Sequence, residues 1–384
     1  TSRTRKLPFI SMGVRFIANV EALNMVETAG NLSRHRTVPI VIFKEGKYSI
    51  KWYPALSGES LAHALQYNLS TLEKSNGNKA KLCYFCSVGE FLKHAALDFY
   101  EKVSNNLNMP AWERDLIANY KSMNPWEIED KIITNCVVED LGGFVVATAA
   151  TTSGGGISVR RTSAFQFSYA VPTEDAIEEG ATTTDVQMQV RMANISQNLA
   201  NTVGYNNPIQ APFNKEIAST TYSFVFNFDA DKVCVNSYTN SEMCNSDERV
   251  RRAKLLLDSL KLVIDGNFGA SKSRFNPFIE REVIVAAVSK GDVIFTVSSP
   301  AMKLADFINE TIERAYSYVK EFKNLNISIY VWANKGKRIT IDGKGLKDYL
   351  TEYANRLKVQ NLTIEYIESY SHADLIDKIK GEIK

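Results

Sequence analysis

An α+β fold built around an antiparallel or mixed sheet is what the sequence predicts, and three features carry the prediction. Strand and helix patterns are interleaved without strict alternation. A hairpin signal lies at residues 38–43 and 48–53, split by a turn holding Glu45 and Gly46. Long polar or helical stretches interrupt the strands and read as insertions growing out of one core, with no clean linker.

Each element has its own justification. In residues 13–21, Val14, Phe16, Ala18 and Val20 alternate onto one face, as a half-buried strand requires. A loop over 22–33 and the hairpin follow. Ser57 stands where an N-cap belongs, and Leu61, Leu65, Leu69 and Leu72 form the stripe of a helix. Residues 84–121 read as mostly helical, inside a helical insertion spanning 74–130 that Pro110 and Pro125 punctuate. Another helix covers 127–138. A glycine-rich turn at 151–156 leads into one long strand over 157–171. Residues 183–194 and 222–228 read as strands, the first with Val186, Met188, Val190 and Met192 on one side. Between them, 195–219 is rich in Asn and Gln and reads as an excursion outside the core. Residues 247–264 give the clearest helix, with Gly266 placed to cap its C-terminus. Strands at 283–288 and 293–297 precede a C-terminal part that alternates helix (304–322, 346–357, 373–383) with strand (327–332, 362–367).

No run of about eighteen apolar residues occurs, so no membrane span is expected. The basic start of the chain lacks an apolar segment behind it and does not read as a secretory signal, which makes the cytoplasm the expected compartment. The net charge is only +2, so a nucleic-acid binder of this composition must concentrate its cations locally. Arg34 with Arg36, Arg160 with Arg161, Arg249 with Arg251 and Arg252, and Lys272 with Arg274 are such spots. The simplest reading of each alone is a solvated face. Three arginines in the first turn of a helix oppose its dipole, which hints at a partner anion. Residues 174–179 are acidic and read as a loop or a surface for another copy.

The five cysteines include one close pair, Cys83 and Cys86, with His94 eight residues on. No second pair completes a four-ligand zinc site, so buried free thiols, no metal and no cofactor are expected. A Cys234–Cys244 disulfide requires an oxidising compartment or a hyperthermophilic source.

Two stretches carry the functional reading. Gly30, Asn31, Ser33, Arg34, His35 and Arg36 pack cations among small polar residues, and arginine's planar fork matches phosphate geometry. Ser57, Gly58, Ser60 and His63 open a helix, offering free amides and hydroxyls to an anion. No nucleophile elbow surrounds Ser60, which excludes a serine-hydrolase reading. Arg160, Arg161 and Thr162 lie on the predicted strand. Gly269, Ser271, Lys272, Ser273 and Arg274 lie in a loop that follows a helix and precedes a strand, unlike a nucleotide-binding P-loop, yet it can still hold a phosphate. The expectation is that Arg34, Arg161 and Lys272 line one trough that cradles a sugar–phosphate strand.

In order and spacing, these segments resemble the DevR-like, Cas seven superfamily of CRISPR effector proteins, the archaeal type I-A Cascade backbone subunits. The likeness runs from about Gly13 to Ile284. The resemblance implies a ferredoxin-like (RRM-like) palm over 13–384, with helical fingers at 74–130, a protruding thumb at 193–220 and a basic extension at 1–12. It implies a non-catalytic subunit whose copies polymerise along crRNA and present the guide to target DNA beside other Cascade subunits. Asn24 joins the residues above as a palm contact, and Met192, Val203, Tyr205 and Phe213 become wedge candidates on the thumb. Related type III subunits cut RNA with an aspartate in the loop after the first strand. Here that loop holds Glu27 and no aspartate, so no nuclease activity is expected. A guide-directed RNA endonuclease is the rival reading.

Overall fold

The alternation that begins the chain reaches further back than Gly13: β1 (Phe9–Glu21) is the central strand of the molecule. In the computed structural model, which describes residues 3–148, 155–190, 201–204 and 212–384, it pairs antiparallel with β11 (Phe213–Asp229) and with β12 (Phe278–Lys290). Beyond β12 lie β13 (Asn326–Asn334), antiparallel, and β16 (Leu362–Ser369), parallel to β13, so the sheet is mixed. On the far side β11 takes β8 (Phe165–Phe167), β9 (Val171–Pro172) and β10 (Thr183–Gln189) along its length. It also makes a short parallel contact with β3 (Leu32–His35), which pairs with β2 (Met25–Ala29).

Strand alternation sorts the core into two layers. Ile10, Met12, Val14, Phe224, Phe226, Ile284 and Ala286 face α1 (Gly58–Lys74) and α8 (Ser246–Ile264). Leu61, Leu65, Leu69, Leu256 and Leu260 descend from these helices, and each buried leucine is worth about 2 kcal/mol. The opposite face, with Val283, Val285, Ile329 and Val331, is covered by α9 (Leu304–Glu321) and α10 (Leu346–Arg356). Gly13 lets α9 approach: a Cβ there would meet the Phe307 ring at 2.5 Å. The C-terminal α11 (Ala373–Glu382) returns to the first layer, and the predicted helix–strand alternation of this last third stands.

The helical insertion is built of short pieces: α2 (Tyr84–Val88), α3 (Leu97–Val103), α4 (Ala111–Asn119), α5 (Pro125–Asn135) and α6 (Val137–Gly142). A two-stranded ribbon of β6 (Phe144–Ala147) and β7 (Ser158–Arg161) closes over Leu97, Leu116, Ile128 and Ile132. The predicted hairpin is β4 (Thr37–Lys44) with β5 (Lys47–Pro54), joined by Glu45 and Gly46 at positive φ, and it exposes Phe43, Tyr48, Ile50 and Trp52. A small ribbon of β14 (Thr340–Ile341) and β15 (Lys344–Gly345) precedes α10.

Several expectations are corrected. Residues 22–33 are not a loop but lead into the β2–β3 hairpin, turned at Gly30 with φ +63. The single strand over 157–171 is three short strands in two sheets, because β7 serves β6 while β8 and β9 serve β11. Residues 293–297 carry no strand pairing. Residues 213–219 belong to β11, not to an excursion. The acidic stretch forms α7 (Glu174–Glu178), whose Asp175 pairs with Arg15 and whose Glu178 pairs with Lys303. The basic start of the chain is docked, with Arg3 on Asp231 and Glu242 and Arg5 on Asp229. Arg249, Arg251 and Arg252 wait for no outside anion: they pair with Asp231 and Glu242, with Glu73 and Glu248, and with Asp140 and Glu248. Cys234 and Cys244 form a disulfide. Among the described residues no helix is long and apolar enough to cross a membrane.

Candidate functional site

Asn24, just past β1, joins the two stretches that carry the functional reading. Its side-chain oxygen accepts from Arg36 Nε at 2.8 Å and from the Ser57 backbone N–H at 2.9 Å. One amide thus fixes the end of the β2–β3 hairpin against the start of α1. Behind this joint a buried acid holds the strands in register. Glu21 accepts from the Tyr222 hydroxyl at 2.7 Å and from the Leu23 N–H at 2.7 Å, and lies 2.6 Å from His35 Nε2. The His35 N–H donates to Glu216 at 2.9 Å. Burial opposes the imidazolium, but the Glu21 carboxylate, the Arg36 carbonyl and Glu216 outweigh it and raise the His35 pKa above the ordinary value.

In front of the joint lies an open trough lined by Asn24, Ser33, Ser60, His63, Lys215 and Ser271. Lys215 enters because β11 runs beside β3, which places it opposite Ser33. Its ammonium donates to Ser271 Oγ at 2.7 Å and sits 5.7 Å from the Phe275 ring centre. The 269–271 turn is pressed onto the end of β1: Ala270 N–H donates to the Leu23 carbonyl at 2.9 Å. A Cβ on Gly269, at φ +80, would lie 2.6 Å from Leu23 Cδ2, so only glycine allows this seat. His63 is exposed and meets Phe91 edge-on at 5.3 Å. Among the described residues no carboxylate lines the trough. Hydroxyls, an amide, an imidazole and one ammonium make it a surface for anionic oxygens.

Of the residues expected from the sequence, Asn24, Ser33, Ser60, His63 and Ser271 therefore meet in one place. Arg34, next to Ser33, is exposed and 3.9 Å from Glu27, and Ser273 and Arg274 are exposed in the loop beyond Ser271. Asn31 is exposed at the hairpin turn, and its carbonyl accepts from Asn214 N–H at 2.7 Å, where β11 begins. Arg36 is half-buried with its guanidinium 5.9 Å from the Tyr169 ring centre.

Others serve the fold instead. His35 is 2% exposed and bound to Glu21, so it does not reach the surface. Ser57 is a buried N-cap, its Oγ accepting from Ser60 N–H at 3.2 Å. Gly58 is needed because a Cβ would lie 2.9 Å from the Phe167 carbonyl oxygen. Arg161 is 5% exposed and bound to Glu129 and Asp140, since a buried guanidinium must be paired. Thr162 and Arg161 border a different depression, beside Arg3 and Asp229, while Arg160 is exposed on the other face of β7. Lys272 turns back to donate to the Gly266 carbonyl at 2.6 Å, in a third depression. The shared trough expected of Arg34, Arg161 and Lys272 does not exist, and the one present is built from other residues. Met192 and Tyr205 lie outside the described residues. Val203 is exposed, and Phe213 sits opposite Gln189 at the end of the β10–β11 pairing.

Lys215 was missed because its place depends on β11 meeting β3, a pairing between distant segments with no local signal.

The family described as CRISPR-associated negative auto-regulator DevR/Csa2 matches residues 12–312. A Saccharolobus solfataricus protein, "CRISPR-associated aCascade subunit Cas7/Csa2 2", is 32% identical over 335 residues, which are 85% of this chain and 92% of that protein. The "CRISPR-associated protein Cas7/Cst2/DevR" of Methanocaldococcus jannaschii is 26% identical over 66% of this chain and 76% of its own length. A chain from a solved "CRISPR RNA-guided surveillance complex, pre-nicking" superposes with a TM-score of 0.47 at 10% identity, covering 97% of this chain and 99% of its own. By the extent of the family match and the identity to the Saccharolobus protein, this chain belongs to the DevR/Csa2 family of CRISPR-associated proteins.

Proposed function

We propose that this protein is a non-catalytic crRNA-binding subunit that polymerises along the guide as the backbone of a type I-A Cascade complex. It holds the sugar–phosphate strand and leaves the bases free to pair with target DNA. The observation that carries this reading is the trough of Asn24, Ser33, Ser60, His63, Lys215 and Ser271, rich in donors and free of carboxylates among the described residues. Donors aimed at backbone oxygens bind any guide alike, which suits a protein whose sequence reading is delegated to base pairing. The Saccharolobus relative's description as an aCascade subunit supports the same assignment.

The fold fits a ferredoxin-like, RRM-like palm. The strands run β12–β1–β11 with β8 and β9 beyond, and α1 and α8 connect them across one face. The helices α2–α5 are then the fingers, and the β10–β11 hairpin is the root of the thumb. The exposed aromatics of the β4–β5 ribbon supply a surface for neighbouring copies or other Cascade subunits. Cytoplasmic location follows from this role.

The test is equilibrium binding of the purified protein to two crRNAs of unrelated sequence, with target RNA and magnesium added in a parallel arm. Equal affinities, weakening steeply with salt, and intact target RNA are expected. Absence of binding at low salt overturns the crRNA assignment, and cleavage of target RNA overturns the non-catalytic one.

A further inference from the structure

The helical insertion carries four side chains that the RNA trough does not use. Cys83, Cys86, Cys136 and Glu139 are all buried, and one ligand atom from each lies within 4.8 Å of the others. From these residues we infer a structural zinc site that ties the two ends of the insertion, α2 and α6, to each other.

The local geometry is a pair of matching knuckles. Cys83 is the N-cap of α2 and Cys86 its third residue; Cys136 is the N-cap of α6 and Glu139 its third residue. In both, the N-cap and third side chains turn to the same side of the helix start, as in a capping box. The Cys86 N–H points at Cys83 Sγ, 3.4 Å away. The Val137 N–H donates to the Lys81 carbonyl at 3.0 Å, which locks one knuckle against the other. A tetrahedral zinc with Zn–S near 2.3 Å wants ligand atoms about 3.8 Å apart, so a small contraction closes the set.

The donor chemistry agrees. Three sulfurs and one carboxylate oxygen are zinc ligands, and the site is enclosed, as structural sites are. His94 Nδ1 lies 2.8 Å from Glu139 Oε1, the kind of outer contact that orients a ligating carboxylate. On its other side, His94 Nε2 lies 3.3 Å from Glu113 Oε1, and neither of these buried atoms has a hydrogen bond.

The insertion's own apolar clusters are small, and short helical units commonly depend on a metal or cross-link. The two knuckles face α1, where the Ser70 hydroxyl donates to the Cys86 carbonyl at 2.7 Å, so the metal would sit at the root of the insertion.

The experiment is elemental analysis of the full-length protein purified without chelator, followed by cobalt exchange and its absorption spectrum. About one equivalent of zinc is expected, with thiolate-to-cobalt charge-transfer bands and the visible bands of a tetrahedral ion after exchange. Cys136→Ser should lose the metal, while Glu139→Cys should retain it. If Cys136→Ser does not fold, the cobalt spectrum of the unaltered protein still decides. A folded protein with no zinc that takes up no cobalt overturns the inference. So does zinc retained in folded Cys136→Ser, or an iron–sulfur chromophore in place of zinc. None of these readouts involves RNA, so they stand or fall apart from the crRNA assignment.

Discussion

Lys215 and Arg161 show how little a cation's sequence context says about its work. Lys215 lies in a polar stretch at the start of β11 yet faces the trough, steadied by Ser271 and Phe275. Arg161 lies in a basic pair yet spends its charge inside, on Glu129 and Asp140. Removing it leaves two buried carboxylates short of a partner, so Arg161→Ala should cost about 3–5 kcal/mol in urea unfolding. Its guide affinity per folded molecule should stay unchanged. His35 gives a pH test at the same scale. Its pKa is raised in the fold, against Glu21 with Tyr222 behind it, and against Glu216 and the Arg36 carbonyl. The protonated form is therefore favoured by folding, and the added stability is complete below the unfolded value of about 6.5. Above that value it fades as pH rises through the folded value, so unfolding free energy should fall over this window, and His35→Asn should flatten the decline. Ser33, Ser60, His63 and Ser271 were legible because they are polar residues beside a turn or a helix start, whereas Asn24 came through the family resemblance alone. The burial of His35, Ser57 and Arg161 was not, because partners such as Glu21 and Glu129 come from other segments and leave no local pattern.

Among the elements, α1 ties the trough to the sheet. Ser57 caps it, Asn24 accepts from the N–H of that cap, and Gly58 lets the strand at Phe167 pass at van der Waals range. Gly58→Ala should lower stability by about 1–3 kcal/mol in chemical denaturation, because the Phe167 carbonyl is backbone and cannot step aside. If Gly58 served a phosphate instead, guide affinity would drop with stability intact. The helices with long leucine stripes and the β4–β5 hairpin were readable because their periodicity or turn chemistry is local. The break of residues 157–171 into β7, β8 and β9 was not, since alternation looks alike whichever sheet receives it. The start of β11 was hidden for a related reason: its polar residues, Asn214 to Glu216, suit the exposed hairpin it shares with β10.

For the whole molecule, near-neutral charge and a donor-lined trough are compatible because several cation clusters outside it are paired with acids of the same chain. The arginines of α8 and the docked Arg3 and Arg5 all face acids of the same chain. The trough is thus a local surface, and RNA affinity should rest on few cations and respond to each. The most direct measurement is the salt dependence of crRNA binding, unaltered against Lys215→Ala, with two unrelated guides. The account predicts equal weakening for both guides and a log–log salt slope shallower by about 0.7 for the variant, one released counterion's worth on single-stranded RNA. A variant with the unaltered slope and affinity, or a loss confined to one guide, would contradict it.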